Sequence, residues 1–231
     1  MKIITNEKLI SRNKKLSQYA LYGALAVLLL GFILTFNNPD TSEIGWAYLI
    51  LIPGYILVQV SIHLGNKWGR SPRPDEIVSQ SFKGLDDRYS LYHYTTGVPH
   101  LLIGPAGIWI IKPYHQSGQI SYDSQKKKYQ QKGGANIFTK LFSQEGIGDI
   151  EHDSRLLRKK LQKYFSKLSI QNYAEPKTVN VFYSEKVDVK ANNAPELTLN
   201  ANKLKNYIRK YSKSNPAEQE MIDLIKKMLP D

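Results

Sequence analysis

The chain has 231 residues, room for one ordinary domain and an additional segment. It carries 32 Lys and Arg against 20 Asp and Glu, a formal charge of +12, and its 15 tyrosines argue against a disordered basic tail. There is no cysteine, which excludes disulfides, thiolate zinc sites and cysteine nucleophiles.

Residues 1–15 are a basic segment carrying Lys2, Lys8, Arg12, Lys14 and Lys15. Residues 16–38 and 44–66 contain no Asp, Glu, Lys or Arg. Each run is long enough to cross a hydrocarbon layer that needs about 20 helical residues. They predict two transmembrane helices joined by a short external loop, 39–43. Pro53-Gly54 would break an exposed helix in water, but a neighbouring helix can shelter the kink. Tyr19, Tyr22, Phe36, Trp46 and Trp68 fall near the span ends, where amphipathic rings favour the interface. The connector holds only Asp40 and Glu43 as charges, whereas Lys67, Arg70 and Arg73 follow the second run. The positive-inside rule therefore puts both termini and the later globular part in the cytoplasm of a membrane-anchored protein. Two other readings are a signal peptide and two buried core helices. The first needs a small-residue cleavage site, and Phe36-Asn-Asn-Pro-Asp40 is not one.

Residues 67–74 read as a stiff linker ending in Arg70-Ser-Pro-Arg-Pro74. Pro74 suits the first turn of a helix whose apolar face is Ile77, Val78, Phe82 and Leu85, ending near Gly84. Strands are predicted over 89–95, 98–103 and 108–111, the last two separated by the turn Gly104-Pro-Ala-Gly107. Shorter strands follow at 119–122 and 127–131. Residues 149–168 form the clearest amphipathic helix, with Ile150, Leu157, Leu161, Phe165 and Leu168 on one side. Strands at 178–183 and 187–189 and helices at 201–211 and 217–229 complete an α/β or α+β domain.

The string from Pro99 to Ile120, with His100, the apolar triplet Leu101–Ile103, Gly104-Pro-x-Gly107, the strand Ile108–Ile111 and Gly118, resembles the core of the nuclease-related domain (NERD) family. The resemblance extends over Asp75 to Tyr211, through the helix at 149–168 and the strand Val179-Asn-Val-Phe-Tyr183. It implies a restriction-endonuclease-like (PD-(D/E)XK) mixed sheet flanked by helices, here as residues 75–213, with 214–231 as a C-terminal helix. In that family an Asp and a Glu hold a divalent metal and a following Lys orients water. Register puts Pro99, Lys112 and Tyr114 at those three positions. Proline offers no ligand, and an ammonium repels a cation that needs anionic oxygens. Glu76 survives from the acidic set and His100 matches the family's histidine, either as a structural hydrogen-bonding group or as a catalytic one.

A migrated metal site would draw on Asp86, Asp87, Asp123, Glu145 and His115; otherwise the first three are turn residues and His115 is exposed. Phosphate loops, dinucleotide turns, zinc helices and nucleophile elbows find no match in the sequence. Lys126, Lys127, Lys128, Arg155, Arg158, Lys159 and Lys163, with Lys203, Lys205, Arg209, Lys210 and Lys213, make clusters suited to nucleic acid, to an anionic leaflet, or simply to solvated faces. Tyr129, Tyr164 and Tyr207 lie among them and could stack on bases. The expectation is a membrane-anchored domain that binds nucleic acid or another polyanion without a cofactor. A divergent magnesium nuclease using Glu76 with relocated acids, and a membrane-tethered protein adaptor, are the alternatives.

Overall fold

The computed structural model describes residues 1–37, 44–134 and 146–230. The chain divides into two compact units: Glu7–Arg73, and a second made of Met1–Asn6 with Pro74–Asp231.

The first unit is a helical hairpin of α1 (Glu7–Asn37) and α2 (Ile44–Leu64), followed by a π-helical turn at Gly65–Gly69. Both helices are long and apolar enough to cross a membrane, and their most apolar stretches are only 17% and 11% buried. Core helices of a globular protein would hide most of that surface; here Leu25, Leu29, Phe32, Ile52 and Ile56 are exposed. Pro53 sits inside α2. Beside it Gly54 lies so close to α1 that an added Cβ would stand 3.1 Å from Leu28 and 3.3 Å from Val27. Pro53 itself is exposed, so α1 packs against the glycine of the pair and does not cover the proline that the sequence expected it to shelter. Near the basic end, Ser17 and Ser61 each donate a hydroxyl to the other's carbonyl at 3.2 Å. The expected loop at 39–43 lies outside the described residues.

The second unit is built on a six-stranded mixed sheet of order β1-β2-β3-β4-β7-β9. Its strands are β1 (Lys2–Thr5), β2 (Ser90–His93), β3 (His100–Gly104), β4 (Gly107–Tyr114), β7 (Lys177–Phe182) and β9 (Leu197–Asn200). β2, β3 and β4 form an antiparallel meander. Gly107, with φ of 90°, takes the left-handed conformation that closes the tight β3–β4 turn. β7 and β9 add in parallel, and β1 lies parallel to β2 at the opposite edge. A smaller sheet joins β5 (Gly118–Asp123), β6 (Lys128–Lys132) and β8 (Val187–Lys190) in the order β6-β5-β8.

Strand alternation sends successive side chains to opposite faces, and each face is covered by helices. Leu101, Ile103, Ile108 and Ile110 pack with Leu161 and Phe165 of α4 (Ile150–Lys167) and with Ile222 and Ile225 of α6 (Gln219–Met228). Leu102, Trp109, Ile111, Val179 and Val181 pack with Val78 and Phe82 of α3 (Pro74–Ser81) and with Leu204 and Ile208 of α5 (Ala201–Ser214). The result is a mixed α/β sandwich.

Two expected boundaries move. Residues 1–15 are not a simple basic tail, because Lys2–Thr5 is an edge strand of the globular sheet and α1 begins at Glu7. The linker at 67–74 is partly the π-helical turn. Residues 214–231 hold the expected C-terminal helix, α6, and its Ile222 and Ile225 join the core of 75–213.

Candidate functional site

The β3–β4 hairpin sets the geometry of the three diagnostic positions. Leu101 pairs with Ile110, so the same register continued outward by two residues brings Pro99 opposite Lys112. Lys112 and Tyr114 share the face of Ile108 and Ile110, toward α4, as alternation requires. The helix carrying Glu76, α3, covers the other face. Glu76 and the positions 99, 112 and 114 therefore stand on elements packed against opposite sides of the sheet.

At the Lys112 position the cation is neutralised from within the protein. Its Nζ makes an ion pair with Asp153, in the first turn of α4, and lies 4.8 Å from the centroid of the Tyr114 ring. Burial pushes the lysine's pKa down, and the hydrogen bond to Asp153 opposes that shift. The Tyr114 ring stacks on Phe182 at 4.8 Å and 12°. Its buried hydroxyl has no hydrogen-bond partner among the described residues, and burial pushes its pKa far up. A divalent cation needs several anionic oxygens converging on it. The site instead presents an ammonium, a proline and a neutral phenol. Among the described residues no three His, Asp or Glu side chains cluster to hold a metal. The residues present do not fit a divalent metal.

His100 is buried on the α3 side. Its Nδ1 lies 2.8 Å from Nδ1 of His93, its cross-strand partner, and His93 Nε2 lies 2.8 Å from Ser79 Oγ. The ring also meets Tyr94 edge-on at 4.9 Å. This is an internal polar chain tying α3 to the meander.

The relocated acids are engaged locally. Asp86 accepts from the Arg88 backbone at 2.8 Å and from its guanidinium, which holds the carboxyl at about 2. Asp87 is exposed and pairs with the Met1 amino group. Asp123 accepts from the backbone of Lys126 and Gln125 and from Gln130, and chiefly the Lys126 N–H lowers its pKa. His115 is half-buried rather than exposed. Glu145 lies outside the described residues.

Of the expected basic residues, Lys127, Lys128 and Arg155 come together around a cleft of about 380 Å³, where Asp149 and Glu151 also reach the wall. Lys126 is exposed in the adjoining turn, and Lys159 and Lys163 are exposed further along α4. Arg158 is used internally: it grips Glu196 with two hydrogen bonds of 2.9 and 2.7 Å and touches Thr178 Oγ1 at 3.2 Å. Two of the candidate stacking tyrosines spend their hydroxyls on structure. Tyr129 donates to the Glu196 carbonyl at 2.9 Å, and Tyr164 to the Thr95 carbonyl at 3.3 Å. Asp153 was invisible to sequence reasoning because its contact with Lys112 spans 41 residues and obeys no local spacing.

No family model, curated protein or solved structure matches the chain.

Proposed function

We propose that this is a membrane-anchored NERD-like domain that has lost the nuclease metal site and works by binding a polyanion, nucleic acid first among them. The observation that carries the reading is the Lys112–Asp153 pair, which occupies with an internal ammonium the position where the related nucleases place a metal-holding glutamate. The order of elements supports the resemblance: α3, the β3–β4 hairpin, α4 and β7 follow one another as the family core implies. Two apolar helices with exposed surfaces support the anchor. β1 and the elements after Pro74 share one sheet, so the residues before and after the hairpin belong to one globular unit. The basic flanks of the two apolar runs support a cytoplasmic position for that unit. The net charge of +8 from residue 71 onward (25 − 17) suits a phosphate-bearing partner.

The test uses the full-length protein in a neutral detergent, because removing residues 1–6 would strip an edge strand from the sheet. Labelled DNA and RNA are added at low salt, with and without magnesium or manganese. Binding without cleavage is expected, weakening steeply as salt rises. Metal-dependent cleavage that disappears in Glu76→Ala would establish the divergent nuclease instead. Absence of any nucleic-acid binding at low salt would leave the adaptor reading.

A further inference from the structure

Helix α5 divides its cations between two flanks. Lys205 Nζ donates to the Lys83 carbonyl at 2.9 Å, and Arg209 donates to the Gly84 carbonyl, so these two clamp the end of α3. On the other flank, helical spacing groups Lys203, Tyr207, Lys210 and Tyr211. Lys203 and Lys210 are exposed and the two tyrosines are half-buried.

Those tyrosines line a cleft of about 430 Å³ with Trp109, Lys177, Thr178 and Pro195. Both rings rest edge-on against Trp109, at 6.0 and 5.1 Å. They are nearly parallel to each other, 21° apart with centroids 6.2 Å apart. Lys177 Nζ stands 5.7 Å from the Tyr211 ring. Two acids reach the same wall, Glu175 and Glu196. Glu196 is already paired with Arg158, which leaves Lys177 and Glu175 as the other charges on the wall, while Lys203 and Lys210 stand exposed on α5 outside the lining.

Rigid aromatic faces backed by a buried indole and edged with lysines are what an unpaired nucleotide strand needs: bases stack on the rings while phosphates meet the ammonium groups. A duplex keeps its base faces covered and can use only the cations. We propose that this cleft is a stacking platform for single-stranded nucleic acid. The inference rests on the polyanion-binding reading and gives it a site and a strand form. Lys177 and Tyr211 had no motif to mark them in the sequence; β7 and α5 bring them together only in the fold.

The test measures binding of the full-length protein in neutral detergent to a fluorescent twenty-nucleotide deoxythymidine strand and to a duplex of equal length, across a salt series. The single strand should bind at least about tenfold tighter. Tyr207→Leu with Tyr211→Leu should weaken single-strand binding about tenfold or more and leave the salt slope unchanged. Lys177→Gln, which spares the aromatic packing on Trp109, should instead lower the slope by about one. Glu175→Gln should tighten binding. A thermal midpoint on each variant separates lost stacking from lost folding, and Lys177→Gln decides if the tyrosine variant unfolds. Equal affinity for strand and duplex, or a folded tyrosine variant or Lys177→Gln that binds like the parent, overturns the platform while nucleic-acid binding stands. Failure to bind either oligonucleotide at low salt overturns the polyanion reading and the platform with it.

Discussion

Reversing the charge at position 112 tests whether a cation is needed where the protein now supplies its own. The side chains of Lys112 and Asp153 are 21% and 43% exposed, so solvent screens the pair and either partner can hydrate when left alone. Lys112→Met keeps an unbranched stem over the Tyr114 ring and should cost about 1 kcal/mol in urea unfolding. Lys112→Glu sets two carboxylates side by side. At about 4 Å and an effective dielectric near 20 they repel by about 4 kcal/mol, and rotation of Asp153 into water relieves part of this. A net loss of about 2–3 kcal/mol follows. Two adjacent carboxylates then form a weak divalent site: with a dissociation constant on the order of 1 mM, 10 mM manganese returns about 1.4 kcal/mol. The assay is urea unfolding followed by circular dichroism, in EDTA and in manganese, for the parent and both variants. Manganese should stabilise Lys112→Glu and leave the parent and Lys112→Met unchanged. Equal stabilisation of the parent, or a Lys112→Glu cost no larger than that of Lys112→Met, would refute the electrostatic account of the Lys112–Asp153 pair.

Three further outcomes are expected. Arg158→Met strands the largely buried Glu196 carboxylate and should cost about 3 kcal/mol, whereas Arg158→Met with Glu196→Leu should recover most of that in the same unfolding assay. A stop after Ser214 removes the buried Ile222 and Ile225, each worth about 2–5 kcal/mol as a large-to-small change, so the truncated protein should lose cooperative thermal unfolding. Burial holds the Tyr129 phenol up to about 12 and that of Tyr114 higher, while both ionise near 10 once unfolded. Their stabilisation is complete below pH 10 and declines as pH rises toward 12, because only the unfolded chain sheds the protons. The urea midpoint should fall over that window, by less in Tyr114→Phe, and absorbance at 295 nm should show delayed phenolate formation.

The legible parts of the sequence were those whose signal is local. The apolar strand Ile108–Ile111 and the helix at 150–167 announce themselves by density and by helical spacing. β9 escaped notice because Leu197-Thr-Leu-Asn200 is short and runs directly into α5. β1 escaped because Lys2 invited a reading as a basic flank, and its strand character depends on a partner 88 residues away in Lys2↔Ser90. The site divides the same way. Positions 99, 112 and 114 could be singled out from the string around the glycine turn, whereas the partner of Lys112 could not. The basic clusters were visible as composition, yet which cations are taken internally, Arg158, Lys205 and Arg209, is decided only by tertiary contacts.

The parallel pairing of β1 with β2 also fixes an order of events during synthesis. Lys2 leaves the ribosome 88 residues before Ser90, its partner, a delay of about 4–18 s at bacterial and eukaryotic elongation rates. Throughout that interval the first strand of the sheet has nothing to pair with, while both helices of the hairpin have already emerged. The segment made first therefore waits unpaired until β2 is made. Any agent that captures the nascent N-terminus would leave β2 as an open edge, with its unpaired backbone groups offered to other chains.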